Sequence, residues 1–318
     1  MPTDVNLASS VSTFSLARPV APVAVPTPPA APQAPVDRMT DEGFWRETFP
    51  ELSMGKLFVG NFEITDLGPE RDQRVADRMR VEGYFQENDE ALVDLSQRLS
   101  IAIERAHSMG IPPVFIWLFD EPWAAFYRQH ATLAAFLGAD YRVLPDFWAW
   151  RVDPKGGQAG WRPHRDKGHM ALRADGTPKA LTLWIPLTEA TPLNGCMYIV
   201  PANLDPVYGT AQDTDNKRVD YPSIRALPAK PGDYLCWNQA VLHWGAQSSP
   251  FGGAPRMSMA LEFQRADEAP FNEPLIQTLG VLSYPDRLKL CAKQILQYAH
   301  MYPLPQPMQD FAQRVLTA

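Results

Sequence analysis

Cysteine is scarce in this chain. Its 318 residues hold three, Cys196, Cys236 and Cys291, an odd number too widely spaced for a disulfide framework or a CxxC metal knuckle. No run of about 18 apolar residues occurs, so no membrane span is expected. The first 36 residues contain a single basic residue, Arg18, and proline repeatedly breaks their apolar stretch. That is not the pattern of a secretory signal, and the expected location is the reducing cytoplasm. Positive charge is also in deficit. With 29 Lys+Arg against 36 Asp+Glu, the formal charge is −7, which excludes a general binder of nucleic-acid phosphates. Phosphate-binding glycine loops, dinucleotide fingerprints and the G-x-S-x-G nucleophile elbow are all missing. What is abundant is apolar and aromatic material: 45% hydrophobic residues and nine Trp, enough for a large core.

Residues 1–36 read as a disordered Pro/Ala-rich tail, because proline removes backbone donors and favours extended chain. From residue 37 to 318 a single domain is expected. Residues 88–107 carry Leu92, Leu95, Leu99, Ala102, Ile103 and Ala106 at helical spacing, with Asn88 or Asp89 to cap the start and Gly110 and Pro112 to end it. Val114–Leu118 reads as a short buried strand, and a helix with Pro122 in its first turn runs on to Gly138. From about residue 140 the texture turns to strands: Phe147–Val152, Leu181–Ile185, Cys196–Val200, Tyr234–Trp237 and Met257–Phe263. Helical spacing returns from Pro285, with Leu288, Ala292, Ile295 and Ala299 on one side. The order is helices, then strands, then helices, which makes the class α+β.

The chemistry concentrates in the strand region. His164 and Asp166 stand two apart, so in extended backbone both side chains point the same way and can reach one ion. His243 follows a strand further on. Two His and one carboxylate on one face leave three open positions, the ligand set of non-haem Fe(II) oxygenases. Taken alone, His164 and Asp166 are equally a local loop hydrogen bond. Thirteen residues after His243 come Arg256 and Ser258, again two apart on an expected strand. A guanidinium and a hydroxyl so placed suit the distal carboxylate of 2-oxoglutarate; the competing reading pairs Arg256 with Glu262 or Glu268.

Together these residues resemble the phytanoyl-CoA dioxygenase family of Fe(II)/2-oxoglutarate-dependent oxygenases. The resemblance runs from about Trp148 to Phe263. It rests on Trp161–Asp166, Leu181–Leu187, Thr188–Ala190, Asn194–Met197, Ile199–Pro201, Pro231–Tyr234, His243 and Arg256. It implies a double-stranded β-helix (jelly-roll, cupin-like) core over about 140–265, flanked by helices that include 285–318. It also implies that His164, Asp166 and His243 are the catalytic metal ligands, that Arg256 holds the 2-oxoglutarate C5 carboxylate, and that Trp184 lines that pocket. Ser258 is added by the strand argument. Fe(II), 2-oxoglutarate and dioxygen are the implied cofactors. Hydroxylation of a small-molecule C–H bond, with release of succinate and CO2, is the implied reaction. Asp166 occupies the position that is a small residue in the family's halogenases, so halogenation is not expected. Two departures stand out: Trp244-Gly245 after the distal His, and Pro201–Leu204 where the family has Pro-Gly-Ser-His.

The remaining candidates have plainer readings. His169 is a polar loop residue, and His107, His130 and His300 lie at helix ends. Cys196 and Cys236 are small hydrophobes in strands. Arg162, Arg165, Lys167 and Arg173 form a basic cluster beside the metal motif, either a draw for an anionic substrate or a solvated loop face. Substrate choice falls to loops around 60–85, 154–162 and 202–220. Two other classes remain open at this stage: a β-helix binding or scaffold protein without turnover, and a metal-dependent hydrolase or isomerase without 2-oxoglutarate.

Overall fold

The computed structural model describes residues 34–56, 62–214 and 219–318. The expected tail lies outside the described residues up to position 33, as do 57–61 and 215–218 within two of the loops assigned to substrate choice. Helix α1 (Glu42–Thr48) is capped by Asp41, whose carboxylate accepts from Gly43 N. Helix α2 (Pro69–Glu82) opens on proline and ends at Gly83, whose φ of +77° lets the chain turn into strand β1 (Tyr84–Asn88). A side chain at Gly83 would come within 2.6 Å of Val241, so glycine serves both conformation and space there. Helix α3 (Leu92–Ser108) follows, and its buried face is the expected one: Leu92, Leu99, Ala102, Ile103 and Ala106. Asp89 supports its start by accepting from Ala91 N.

Helices α4 (Asp120–Tyr127) and α5 (His130–Leu137) come next, then β2 (Arg142–Val152), β3 (Ala180–Pro186), β4 (Met197–Ile199), β5 (Arg225–Leu227), β6 (Asp233–Asn238), β7 (His243–Gly245), β8 (Arg256–Gln264) and β9 (Ile276–Gln277). Helices α6 (Tyr284–Gln297) and α7 (Gln306–Thr317) close the chain. The strands form two antiparallel sheets. The major one has the order β1-β6-β3-β8-β2-β9, the minor one β5-β4-β7. The fold is α+β, two antiparallel sheets flanked by helices in the manner of a jelly roll.

Three local expectations fail. Val114–Leu118 is a 3-10 helix spanning Pro113–Leu118, not a strand; its side chains are all buried, and a short apolar run does not distinguish the two. The helix expected up to Gly138 is two, α4 and α5, separated at Arg128 and Gln129. Residues 69–85, taken within a substrate loop, belong to α2 and the start of β1. Only Val75 and Met79 of α2 are buried, so its apolar periodicity is faint, although Pro69 and Gly83 do mark both ends.

β8 is buried along its whole length. Met257, Met259, Leu261 and Phe263 alternate with Arg256, Ser258, Ala260 and Glu262, so the second set shares one face. Register extends that face across the sheet. Thr182 lies opposite both Glu262 and Trp237, Ala260 lies between Trp184 and Trp148, and Ser258 lies opposite Trp150.

Candidate active site

His164 reaches the sheet through a two-way backbone bridge with His243, each N–H donating to the other's carbonyl at 3.0 Å. That bridge gives β7 a one-residue neighbour and sets the two imidazoles side by side, ring centres 4.4 Å apart. Each Nδ1 faces a carbonyl two residues back: Arg162 O at 2.7 Å from His164, and Val241 O at 3.1 Å from His243. A carbonyl only accepts, so Nδ1 carries the proton in both rings and the Nε2 lone pair stays free. Both Nε2 atoms converge on Asp166 Oδ1, at 3.4 Å and 3.5 Å. The three ligand atoms lie within 4.8 Å of one another.

The other oxygen of Asp166 is tied down. Thr182 Oγ1 donates to Oδ2 at 2.7 Å and Trp237 Nε1 at 3.0 Å. Burial opposes ionisation of Asp166, but His243, His164 and Thr182 hold its carboxyl well below the ordinary carboxylate range. Burial pushes His243 down to about 4 and so keeps it neutral. At His164 burial acts the same way, yet the hydrogen bond and charge of Asp166 outweigh it and raise the pKa. An anionic carboxylate oxygen and two imidazole lone pairs directed at one point fit a divalent transition metal.

Arg256 is 1% exposed. Burial lowers its pKa to about 10, so it remains a cation at neutral pH. One terminal nitrogen donates to Ser258 Oγ at 2.5 Å, while Nε has no partner and no carboxylate among the described residues pairs with the group. The competing partners are engaged elsewhere: Glu262 meets Lys167 at 3.3 Å, and Glu268 meets Arg173 at 2.7 Å. A buried guanidinium without its counter-ion is costly, and a ligand carboxylate fits the vacancy. The ring of Trp184 lies 5.9 Å from the guanidinium carbon and lines the same cleft.

Gly160 and Gly245 explain how the cation is roofed. A Cβ at either would come within 2.7 Å of the other's Cα and within about 3.3 Å of the guanidinium, so two bare backbones close over it. Gly245 is two residues beyond His243 on β7, a step of about 7 Å. The imidazole cluster and the anion anchor thus sit one short dicarboxylate apart. Trp148, Trp150, Trp161, Trp237 and Tyr298 wall the cleft.

Neither glycine's part was legible in the sequence, nor were those of Thr182 and Trp237. Thr182 left one signal, a hydroxyl in an apolar strand. Three of the four residues of the basic cluster are engaged, Arg165 with Asp205 at 2.7 Å, Lys167 with Glu262, and Arg173 with Asp267 and Glu268, while Arg162 is exposed. His169 pairs with Asp213, away from the metal cluster. Cys196 and Cys236 are buried, as expected.

Comparison with known proteins agrees with this geometry. The phytanoyl-CoA dioxygenase (PhyH) family matches residues 69–252, more than half of the chain. The chain belongs to that family. The match includes His164, Asp166 and His243 and ends before Arg256. Among solved structures, AviO1 from Streptomyces viridochromogenes Tue57 is similar at 17% identity, covering 65% of this chain and 99% of that one, with a TM-score of 0.50. The alpha-ketoglutarate-dependent epimerase SnoN from nogalamycin biosynthesis covers 63% and 85% at 21% identity, TM-score 0.47. HygX from Streptomyces hygroscopicus, solved with nickel, 2-oxoglutarate and hygromycin B, covers 64% and 90% at 11% identity, TM-score 0.48. No curated protein matches the sequence. The family is one of Fe(II)/2-oxoglutarate-dependent enzymes, and the His-Asp-His cluster of this member is of facial-triad type. Among the described residues, no helix is long and apolar enough to cross a membrane.

Proposed function

We propose that this protein is a cytoplasmic Fe(II)/2-oxoglutarate-dependent dioxygenase that hydroxylates a C–H bond of a small molecule, releasing succinate and CO2. The observation that carries this is Arg256, a buried cation lacking a carboxylate, in the same cleft as the His164–Asp166–His243 cluster. In this reading His164 and His243 bind iron through Nε2 and Asp166 binds it through Oδ1. Arg256 and Ser258 take the C5 carboxylate of 2-oxoglutarate, and Trp184 forms the wall beside it. Bound iron, with 2-oxoglutarate and dioxygen, supplies the oxidising power for C–H cleavage.

The rest is done by the chain. Thr182 and Trp237 fix Asp166 so that one oxygen faces the ion, and the Nδ1 hydrogen bonds fix both imidazoles in the ligating tautomer. Trp148, Trp161 and Tyr298 exclude water from the reacting region. Residues 37–318 act as one oxygenase domain, with the β core over about 140–265 and the C-terminal helices over 285–318 closing the cleft.

An anaerobic visible spectrum of the protein given Fe(II) and then 2-oxoglutarate tests the reading. A weak charge-transfer band of the chelated keto acid is expected, abolished by His164→Ala or Asp166→Ala. Arg256→Ala should require at least about 30-fold more 2-oxoglutarate, since leaving a buried charge unpaired costs about 2 kcal/mol or more. Iron binding with no band would point instead to a hydrolase or isomerase, and no metal binding to a non-catalytic scaffold. With a substrate, gain of one oxygen by mass spectrometry marks hydroxylation, and loss of two hydrogens marks desaturation or ring closure.

A further inference from the structure

At the Glu262 end of β8 the cleft runs beside the metal cluster, and apart from those of Thr182 and Trp237 the polar groups there have no part in the site described so far. The floor of that end is the row Trp237–Thr182–Glu262, and its flank is Trp148, the diagonal neighbour of Glu262 across β2 and β8. On adjacent antiparallel strands, diagonal neighbours lie about 7–8 Å apart, close enough for one small group to touch both. Glu262 is 8% exposed and lines the cleft. Its Oε2 accepts from Gln239 Nε2 at 2.8 Å and meets Lys167 Nζ at 3.3 Å. Its Oε1 accepts no hydrogen bond from any described residue.

The flank has the opposite deficit. Four buried indole N–H groups lack an acceptor: Trp117 in the helical core, and Trp148, Trp150 and Trp161 in the cleft. Trp148 is 1% exposed and Trp150 8%. Trp150, opposite Ser258, lies toward the Arg256 end. Trp148 lies toward Glu262, while the ring of Trp161 is 5.1 Å from that of Trp150, 6.5 Å from that of Trp148 and 5.9 Å from that of His164, and so stands between the two ends. Buried polar groups are nearly always satisfied, so unfilled donors beside an unfilled acceptor describe the missing partner. Burial pushes the Glu262 carboxyl up to about 8 against the pull of Lys167, so above that pH the missing partner both donates and accepts, as a hydroxyl does. An ammonium cannot accept and a carboxylate cannot donate.

We propose that this end of the cleft takes the substrate and recognises a hydroxyl group on it, donating to Glu262 Oε1 and accepting from the indole N–H of Trp148. The substrate class is an alcohol on a flat or apolar body that packs against the tryptophans. Glu262 is thereby a specificity-determining residue. The assignment rests on the oxygenase reading for which end is left to the substrate, but the hydrogen-bond complementarity does not.

The test is a matched set of probes, 2-phenylethanol, 2-phenylethylamine and phenylacetate, titrated at about pH 9, where Glu262 is ionised, into the full chain with Fe(II) and 2-oxoglutarate under anaerobic conditions and followed by tryptophan fluorescence. The alcohol should bind about tenfold more tightly than the amine or the acid, as expected for one or two net hydrogen bonds. In Glu262→Ala the three should fall within about twofold of one another. A residue that only supports the fold would weaken all three alike. Trp148→Phe, which keeps the ring and loses the N–H, should also shrink the alcohol's advantage and serves if the Glu262 variant does not fold. An amine or acid binding as tightly as the alcohol overturns the proposal. So does an alcohol preference that survives in both variants, or no alcohol binding up to its solubility. The charge-transfer band in the same wild-type sample tests the oxygenase reading separately, because the order of the probes is read whether or not the band forms.

Discussion

Asp166 divides its two oxygens between different tasks. Oδ1 faces the imidazoles and Oδ2 is held by Thr182 and Trp237, so the carboxylate cannot rotate without breaking two hydrogen bonds. Thr182→Val keeps the shape of the side chain and removes the hydroxyl. It should lower Fe(II) affinity by about 10- to 100-fold, the usual effect of losing a group that orients a ligand, while Thr182→Ser should restore most of it. Metal titration by competition with a chromophoric chelator checks both. At this scale the sequence was legible where chemistry is local. His164 and Asp166 announce themselves by spacing, and Arg256 and Ser258 by alternation. Thr182, Trp237 and Glu262 did not, because their roles come from register: only the pairing of β3 with β6 and β8 brings three distant residues into one row.

Among the elements, β7 does most with least. Its three residues supply a proposed metal ligand, His243, and a roof for Arg256, Gly245. Gly245→Ala puts a methyl group against the Gly160 backbone and the guanidinium. Its expected outcome is weaker 2-oxoglutarate binding with a lowered Tm, read by anaerobic titration and by calorimetry. Away from the site, Asp89 joins β1, α3 and the α4–α5 junction. Arg128 donates to both of its oxygens, at 2.8 Å and 3.0 Å, and Thr65 and Gln129 also donate to it. Arg128→Met leaves a buried carboxylate unpaired and should cost about 3–5 kcal/mol in denaturant unfolding. Burial opposes ionisation of Asp89, but the hydrogen bonds from Arg128 and Thr65 and the Arg128 charge hold its carboxyl below the ordinary value. A folded-state pKa below the unfolded one stabilises fully above about pH 4 and is lost as pH falls through the lower folded value. The stability gap between wild type and Arg128→Met should therefore be widest near neutrality and narrow below about pH 4. In α3 the end was legible from Gly110, but the helix starts at Leu92 with Ala91 at its N-cap rather than at residue 88 under a side-chain cap. Boundaries were not legible for Pro113–Leu118, where apolar residues on every side leave no period, or for α2, whose face is mostly polar.

For the molecule as a whole, the cleft depends on the C-terminal segment as well as on the strands. Tyr298, just past α6, packs against Trp161 with ring centres 4.7 Å apart, and α7 buries Met308, Phe311, Ala312 and Val315. Burial of the three larger side chains is worth about 5–9 kcal/mol, much of the roughly 5–15 kcal/mol that holds a typical domain together. Deleting residues 298–318 should leave a chain without a cooperative thermal transition by circular dichroism. The layer order, helices around strands, could be read from the changing period of apolar residues. The placement of a C-terminal helical turn against the active-site tryptophans could not, since nothing local encodes which distant surface a helix will cover.

β8 carries Arg256 at one end and Glu262 toward the other on the same buried face, so one rigid strand acts as a ruler between the two binding ends. Loop motion cannot change the length it measures. On the proposed assignments, changing the size of molecule accepted would require resetting a mark on the ruler itself, and Ala260, the smallest side chain between those ends, set between Trp184 and Trp148, is the mark to reset.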